Sequence, residues 1–168
     1  SEFPENFQHV RNYAISPDQT RIVYAERKPA GKEQKLVVSD RSFKEPKTIA
    51  RAEASFYDLR WSPDGKMIAY NYNAKEGVGL NAAEVRVIAS DGSWQKTPYT
   101  GKLKFFAEGT PPSWSPDGTK LALTLHEDGV GEVGVLENFL PKEKLGAAYE
   151  AKPAAENNAE PILKTLLS

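Results

Sequence analysis

One five-residue string constrains this chain more than any other feature. Trp61-Ser62-Pro63-Asp64-Gly65 returns unchanged as Trp114-Ser115-Pro116-Asp117-Gly118, and in altered form as Ile15-Ser16-Pro17-Asp18-Gln19. Proline presets φ for the first central position of a reverse turn. The aspartate side chain bonds its own backbone, and glycine enters the left-handed region without a Cβ clash. Each copy lies between short runs of alternating apolar residues, so the local unit reads as strand, tight turn, strand. Gln19 in place of glycine predicts a slightly different turn in the first copy.

The turn aspartates Asp18, Asp64 and Asp117 lie 46 and 53 residues apart (64 − 18 and 117 − 64). This is close to the roughly 40–50 residues of a four-stranded propeller blade. The middle unit is the clearest, with strands predicted at 56–61, 66–72, 83–89 and 94–100 and an Asp91-Gly92 pair turning the last two. The first unit maps to 9–15, 20–26, 34–39 and 46–50. The third supplies 112–114, 119–126 and 131–136, with no recognisable fourth strand. Three units are therefore expected at about 7–50, 56–100 and 110–140, within residues 1–141. Residues 142–168 read as a linker-like tail, rich in Ala, Glu and Lys and interrupted by Pro153 and Pro161. Two readings of its end stand. A short helix over 161–167 would gather Ile162, Leu163, Leu166 and Leu167 on one face; the other is a disordered tail.

The turn followed by Lys66-Met67-Ile68-Ala69 or Lys120-Leu121-Ala122-Leu123, with Val85-Arg86-Val87 leading into Ser90-Asp91-Gly92, resembles the WD40-like PD40 repeats of the TolB-like β-propeller family. Similar repeats build the N-terminal propellers of prolyl-oligopeptidase-type peptidases. The resemblance covers residues 9–140 and implies an all-β fold of about three four-stranded blades. The third unit departs from the pattern by lacking its fourth strand. Three blades do not close a ring, since propellers use about 4–8. The chain is then a partial propeller or a half-ring. Either further blades belong to a longer chain, or a homodimer completes a six-bladed ring; a third arrangement, an arc capped by the tail, is less favoured.

Composition narrows the function. The 22 basic and 23 acidic residues give a net charge of −1 and are interleaved, so no electrostatic footprint for nucleic acid is present. No apolar run is long enough to cross a bilayer as a helix, and no membrane insertion is expected. Ser1-Glu2-Phe3 carries no signal-peptide pattern and reads as an internal boundary rather than a natural start. With no cysteine, thiolate nucleophiles, thiolate metal sites and disulfides are excluded. The histidines, His9 and His126, form no zinc spacing, and no Gly-x-Ser-x-Gly elbow occurs. His126 adjoins Glu127 and Asp128 but has no nucleophile beside it. The glycine-rich Gly77-Val78-Gly79 and Gly129-Val130-Gly131 lack the residues of a phosphate loop and read as hairpin connections. No catalytic residue, metal or cofactor is expected.

Recurrence assigns Trp61 and Trp114 to packing between blades rather than ligand stacking. It likewise assigns Ser16, Pro17, Asp18, Ser62, Pro63, Asp64, Gly65, Ser115, Pro116, Asp117 and Gly118 to turn structure. The tight turns share one face of the disc, and the longer connections lie opposite. Binding concentrates on loops carried by a rigid scaffold. The expected partner surface is therefore the long-connection side, with Asn73, Lys75, Glu76, Asn81, Phe105, Phe106, Glu127 and Asp128 as its candidates. Packing between blades is the competing role for Phe105 and Phe106. The leading expectation is a non-catalytic module that binds another protein or a peptide, and the family resemblance implies a periplasmic or extracytoplasmic setting. The alternatives are the propeller portion of a serine peptidase whose catalytic domain lies elsewhere, and the sensor domain of a signalling protein.

Overall fold

A computed structural model describes residues 10–27, 32–73, 83–101, 111–127, 130–140 and 162–166. Twelve strands fill these residues. They form three four-stranded antiparallel sheets, each a simple meander. The first sheet is β1 (Val10–Ile15), β2 (Arg21–Arg27), β3 (Gln34–Asp40) and β4 (Lys47–Ala52). Its successor is β5 (Ser55–Trp61), β6 (Met67–Asn73), β7 (Ala83–Ala89) and β8 (Gln95–Gly101). The third is β9 (Ser113–Trp114), β10 (Leu121–Glu127), β11 (Val130–Glu137) and β12 (Ile162–Leu166). These are blades one, two and three.

The blades stack face to face, and the alternation of β6 shows how. Ile68, Tyr70 and Tyr72 join a buried cluster with Val23, Ala25, Leu36 and Val38 of blade one. Met67 and Ala69, on the opposite face of the same strand, join Leu121, Leu123 and Leu136 of blade three. Successive side chains of a strand point to opposite faces, so a strand buried on both sides loses the usual polar alternation. All seven residues of β6 are buried. The hydrophobic core is thus two cores, one in each gap between blades.

Two expectations are corrected. The end of the tail is a strand, not a helix: β12 pairs antiparallel with β11, from Glu137 opposite Ile162 to Val133 opposite Leu166. A helix this short is marginal alone, whereas the open edge of β11 offers backbone partners for every residue added. The tail therefore supplies the fourth strand that the third unit lacks. The first turn is also not distinctive. Gln19 N–H donates to Ser16 C=O at 2.9 Å, the same bond that Gly65 makes to Ser62 and Gly118 to Ser115. Gln19 holds φ at 60°, beside 67° and 70° for the two glycines, so the turn imposes its conformation on a side chain that rarely adopts it.

β9 is only two residues long, preceded by Pro111 and Pro112, which have no backbone N–H to offer a ladder. The first strand of each of the first two blades carries a bulge, between Val10 and Asn12 and between Tyr57 and Arg60.

Candidate functional site

On the tight-turn side, each serine of the repeated motif works in both directions. Ser62 Oγ accepts from Met67 N–H at 2.9 Å and donates to Asp64 Oδ1 at 2.6 Å, while Asp64 also accepts from Lys66 N–H at 3.0 Å. Ser16 with Asp18 and Ser115 with Asp117 repeat the pattern. The serine hydroxyl bond, then the backbone bond from Thr20, holds the Asp18 carboxyl down at about 2. Asp117 stands at about 2 for the same reason, with Ser115 first and Thr119 second. These carboxylates are committed to their own turns. One per blade, they are structural caps.

The turns also meet across blades. Arg21 at the start of β2 donates through Nη2 to Gly65 C=O at 2.7 Å and through Nη1 to Ser90 Oγ at 3.3 Å. Its guanidinium lies 4.8 Å from the ring centroid of Trp61. Trp61 Nε1 in turn donates to Ala14 C=O at 3.0 Å, and Trp114 Nε1 to Arg60 C=O at 3.1 Å. Both indoles therefore sit in the gaps between blades. A cleft of about 180 Å³ opens beside this seam, lined by Asp64, Lys66, Met67, Asp91, Ser93 and Trp94 among others. Its rim brings the carboxylates of Asp64 and Asp91 together with the ammonium of Lys66.

On the opposite side, the strand ends are tied by buried polar groups. Gln34 Nε2 donates to Ser55 Oγ at 3.2 Å, and Phe56 N–H donates to Gln34 Oε1 at 3.3 Å, which bridges blades one and two. Arg86 pairs with Glu84 at 2.6 Å and lies 3.4 Å from the ring centroid of Tyr72. Asn71, buried inside β6, donates to Asp58 Oδ2 at 2.9 Å, and Asp58 holds φ at 54° in the bulge of β5. Sequence reasoning missed this cluster, because a bulge that turns one aspartate inward leaves no trace in apolar periodicity.

Among the sequence candidates, Asn73 ends β6 opposite Ser55 and is buried at 8% exposure. Glu127 ends β10, opposite Val130. Lys75, Glu76, Asn81, Phe105, Phe106 and Asp128 lie outside the described residues. No group of three or more His, Asp or Glu side chains capable of holding a metal occurs among the described residues. No described helix is long and apolar enough to cross a membrane.

No family model matches the chain. The Tol-Pal system protein TolB of Ruthia magnifica subsp. Calyptogena magnifica is 34% identical over 115 residues, covering 66% of this chain and 25% of that protein. The chain spans a quarter or less of the length of the curated relatives it matches. Among solved structures, TolB from Acinetobacter baumannii superposes with a TM-score of 0.57 at 23% identity, over 71% of this chain and 28% of that one. A puromycin-hydrolyzing peptidase from Mycobacterium tuberculosis gives 0.59 at 19% identity, over 80% of this chain and 23% of that one. At these identities the structural likeness shows the fold alone.

Proposed function

We propose that this chain, a set of TolB-like β-propeller blades, is a binding scaffold that holds another protein or a peptide on its long-connection side, in the periplasm or another extracytoplasmic setting. The observation that carries this reading is the rigidity of the strand ends beneath those connections. The Gln34–Ser55–Phe56 ties are buried and cross from blade one to blade two. Buried, fully satisfied polar networks fix one arrangement of the elements they join. Recognition concentrates on connections carried by a fixed base of this kind. The relatives named for the Tol-Pal system support a protein partner as the class of ligand.

The reading is tested by replacing residues 74–82 with a short Asn-Gly turn. The strands should fold as before, and capture of the partner from a periplasmic extract should weaken. Unchanged capture would remove this connection from the surface. A second reading, the propeller portion of a serine peptidase, rests on the fold shared with the puromycin-hydrolyzing peptidase. A hydrolase domain with Gly-x-Ser-x-Gly in the same gene would decide for it.

A further inference from the structure

Arg21 and Met67 hold the same place in blades one and two. Each opens the second strand of its blade, and each is in register with the last residue of the third strand, Asp40 and Ala89. Over the first pair the space is filled. The Arg21 guanidinium crosses the first gap and is held by both tight turns of blade two at once, Gly65 C=O at 2.7 Å on one and Ser90 Oγ at 3.3 Å on the other. Over the second pair stands a methionine, which has no donor for any turn. There the cleft of about 180 Å³ opens, with Met67, Ala89 and Trp94 as its apolar lining. One difference between two repeats accounts for the cavity.

The rim belongs to the same two turns that grip Arg21 from the other face of the blade. Asp64 and Lys66 come from the first turn, Asp91 and Ser93 from the second, and Ser90 serves both sides. The bonds of Asp64 to Ser62 Oγ and Lys66 N–H both fall on Oδ1. Its Oδ2 bonds no described residue and remains an acceptor at the cleft. Asp64 and Asp91 against Lys66 leave the lining one negative charge.

We propose that this cleft takes an arginine side chain presented by a partner protein. The stem lies against Met67 and Trp94, and the guanidinium meets the Asp64 and Asp91 carboxylates. The first gap carries this assignment, because there the same pair of turns already accepts a guanidinium. A planar fork of donors can span two turns, whereas an ammonium is a single point of charge. The carboxylate of Asp64 adds a charge-assisted bond that Arg21 does not have. Lys66 opposes the incoming cation and moderates the affinity. The cleft lies on the tight-turn side, so its occupant leaves the long connections free, and the assignment does not rest on them.

Titrating the whole chain with a capped Gly-Arg-Gly peptide, followed by proton–nitrogen NMR, tests this. The indole N–H of Trp94, which bonds no described residue, and the amide of Ser93 should shift together and saturate at millimolar peptide. A Gly-Lys-Gly peptide should bind at least about threefold more weakly, and Gly-Glu-Gly should give no saturable shift. Asp64→Asn keeps an oxygen for the turn bonds and should weaken the arginine peptide about fivefold. Lys66→Met removes the opposing charge and should tighten it about threefold. Replacing residues 74–82 should change neither value. No saturable shift with the arginine peptide, an equal one with the glutamate peptide, or equal affinity for lysine would overturn the proposal. So would an arginine affinity that ignores both Asp64→Asn and Lys66→Met.

Discussion

The indole N–H of Trp61 donates to the carbonyl of Ala14 at 3.0 Å, joining the last residue of β5 to the next-to-last residue of β1. An indole has a single donor and no acceptor, so this bond fixes the orientation of the ring as well as its place. One face of the ring lies under the guanidinium of Arg21. The side chain is 7% exposed and belongs to the first core. A residue that sequence presents as the start of a turn motif is, in the fold, the joint between two sheets.

Truncating that joint should be costly. Trp61→Ala is expected to lose about 3–5 kcal/mol, the range for deleting a large buried aromatic. Trp61→Phe keeps most of the apolar contact and should lose less, with about 1 kcal/mol of it from the hydrogen bond. Urea unfolding followed by circular dichroism measures both. A loss below about 1 kcal/mol for the alanine variant would mean that the ring carries no packing energy.

Arg21 offers a second test of the same seam, because its position is Met67 in blade two. Arg21→Met keeps an apolar stem but deletes the guanidinium over Trp61 and its bond to Gly65 C=O at 2.7 Å. A hydrogen bond from a charged donor contributes about 1.5–3 kcal/mol, and the half-buried setting points to the lower end. If Arg21→Met and Arg21→Ala cost the same, the stem contributes nothing; if neither costs anything, the seam is held without Arg21, by Trp61 and the apolar cluster around it.

Much of this architecture was legible in the sequence. The period of 46 and 53 residues, the proline at each turn and the alternation of residues 66–72 specify strands, turns and blade count by local chemistry. What escaped was non-local. Arg21 looks like any strand-end cation until blade two brings Gly65 to it. The tail residues 162–166 have helix-compatible spacing, and only the bare edge of β11 makes them a strand. Asp58 reads as a polar break in an apolar run, yet it is a left-handed bulge residue held by a buried asparagine. Gln19 was misread for the opposite reason: its side chain predicts a different turn, but Ser16, Pro17 and Asp18 enforce the common one.

Acid should weaken the turns in a defined window. Asp18 and Asp117 titrate at about 2 in the folded chain, below their ordinary 3.8, because hydrogen bonds from Ser16 and Ser115 favour the charged form. A depressed folded pKa means stability that is whole above the ordinary value and is lost as pH falls through 3.8 toward 2. Tm followed from pH 6 to 2 should drop mainly in that window. Asp18→Asn with Asp117→Asn should flatten the drop, and an unchanged slope would place the acid sensitivity elsewhere.

Asp58 separates backbone strain from side-chain bonding. Its φ of 54° favours glycine, but its carboxylate accepts from Asn71, which is 2% exposed. Asp58→Ala keeps the strain and orphans the Asn71 amide, so a loss of about 2–3 kcal/mol is expected. Asp58→Gly orphans the same amide but relaxes the backbone, and should recover roughly 1 kcal/mol of that loss. Equal losses in the two variants would show that the bulge is unstrained.

The strand contributed by the tail makes the most exposed claim about folding. β12 closes blade three by pairing with Val133–Glu137 across a long sequence separation, and that pairing covers an edge of β11 that would otherwise present unpaired backbone groups. Cutting the chain after Pro161 should leave the gap between blades one and two intact, since among the described residues its core contains none beyond Ile88. Blade three should loosen selectively. Amides of β10 and β11 are expected to lose hydrogen-exchange protection while those of β2 and β6 keep theirs, and the truncated chain should associate at lower concentration. Were the β11 amides to exchange at the parent rate after truncation, the strand would be an ornament on a blade already complete with three.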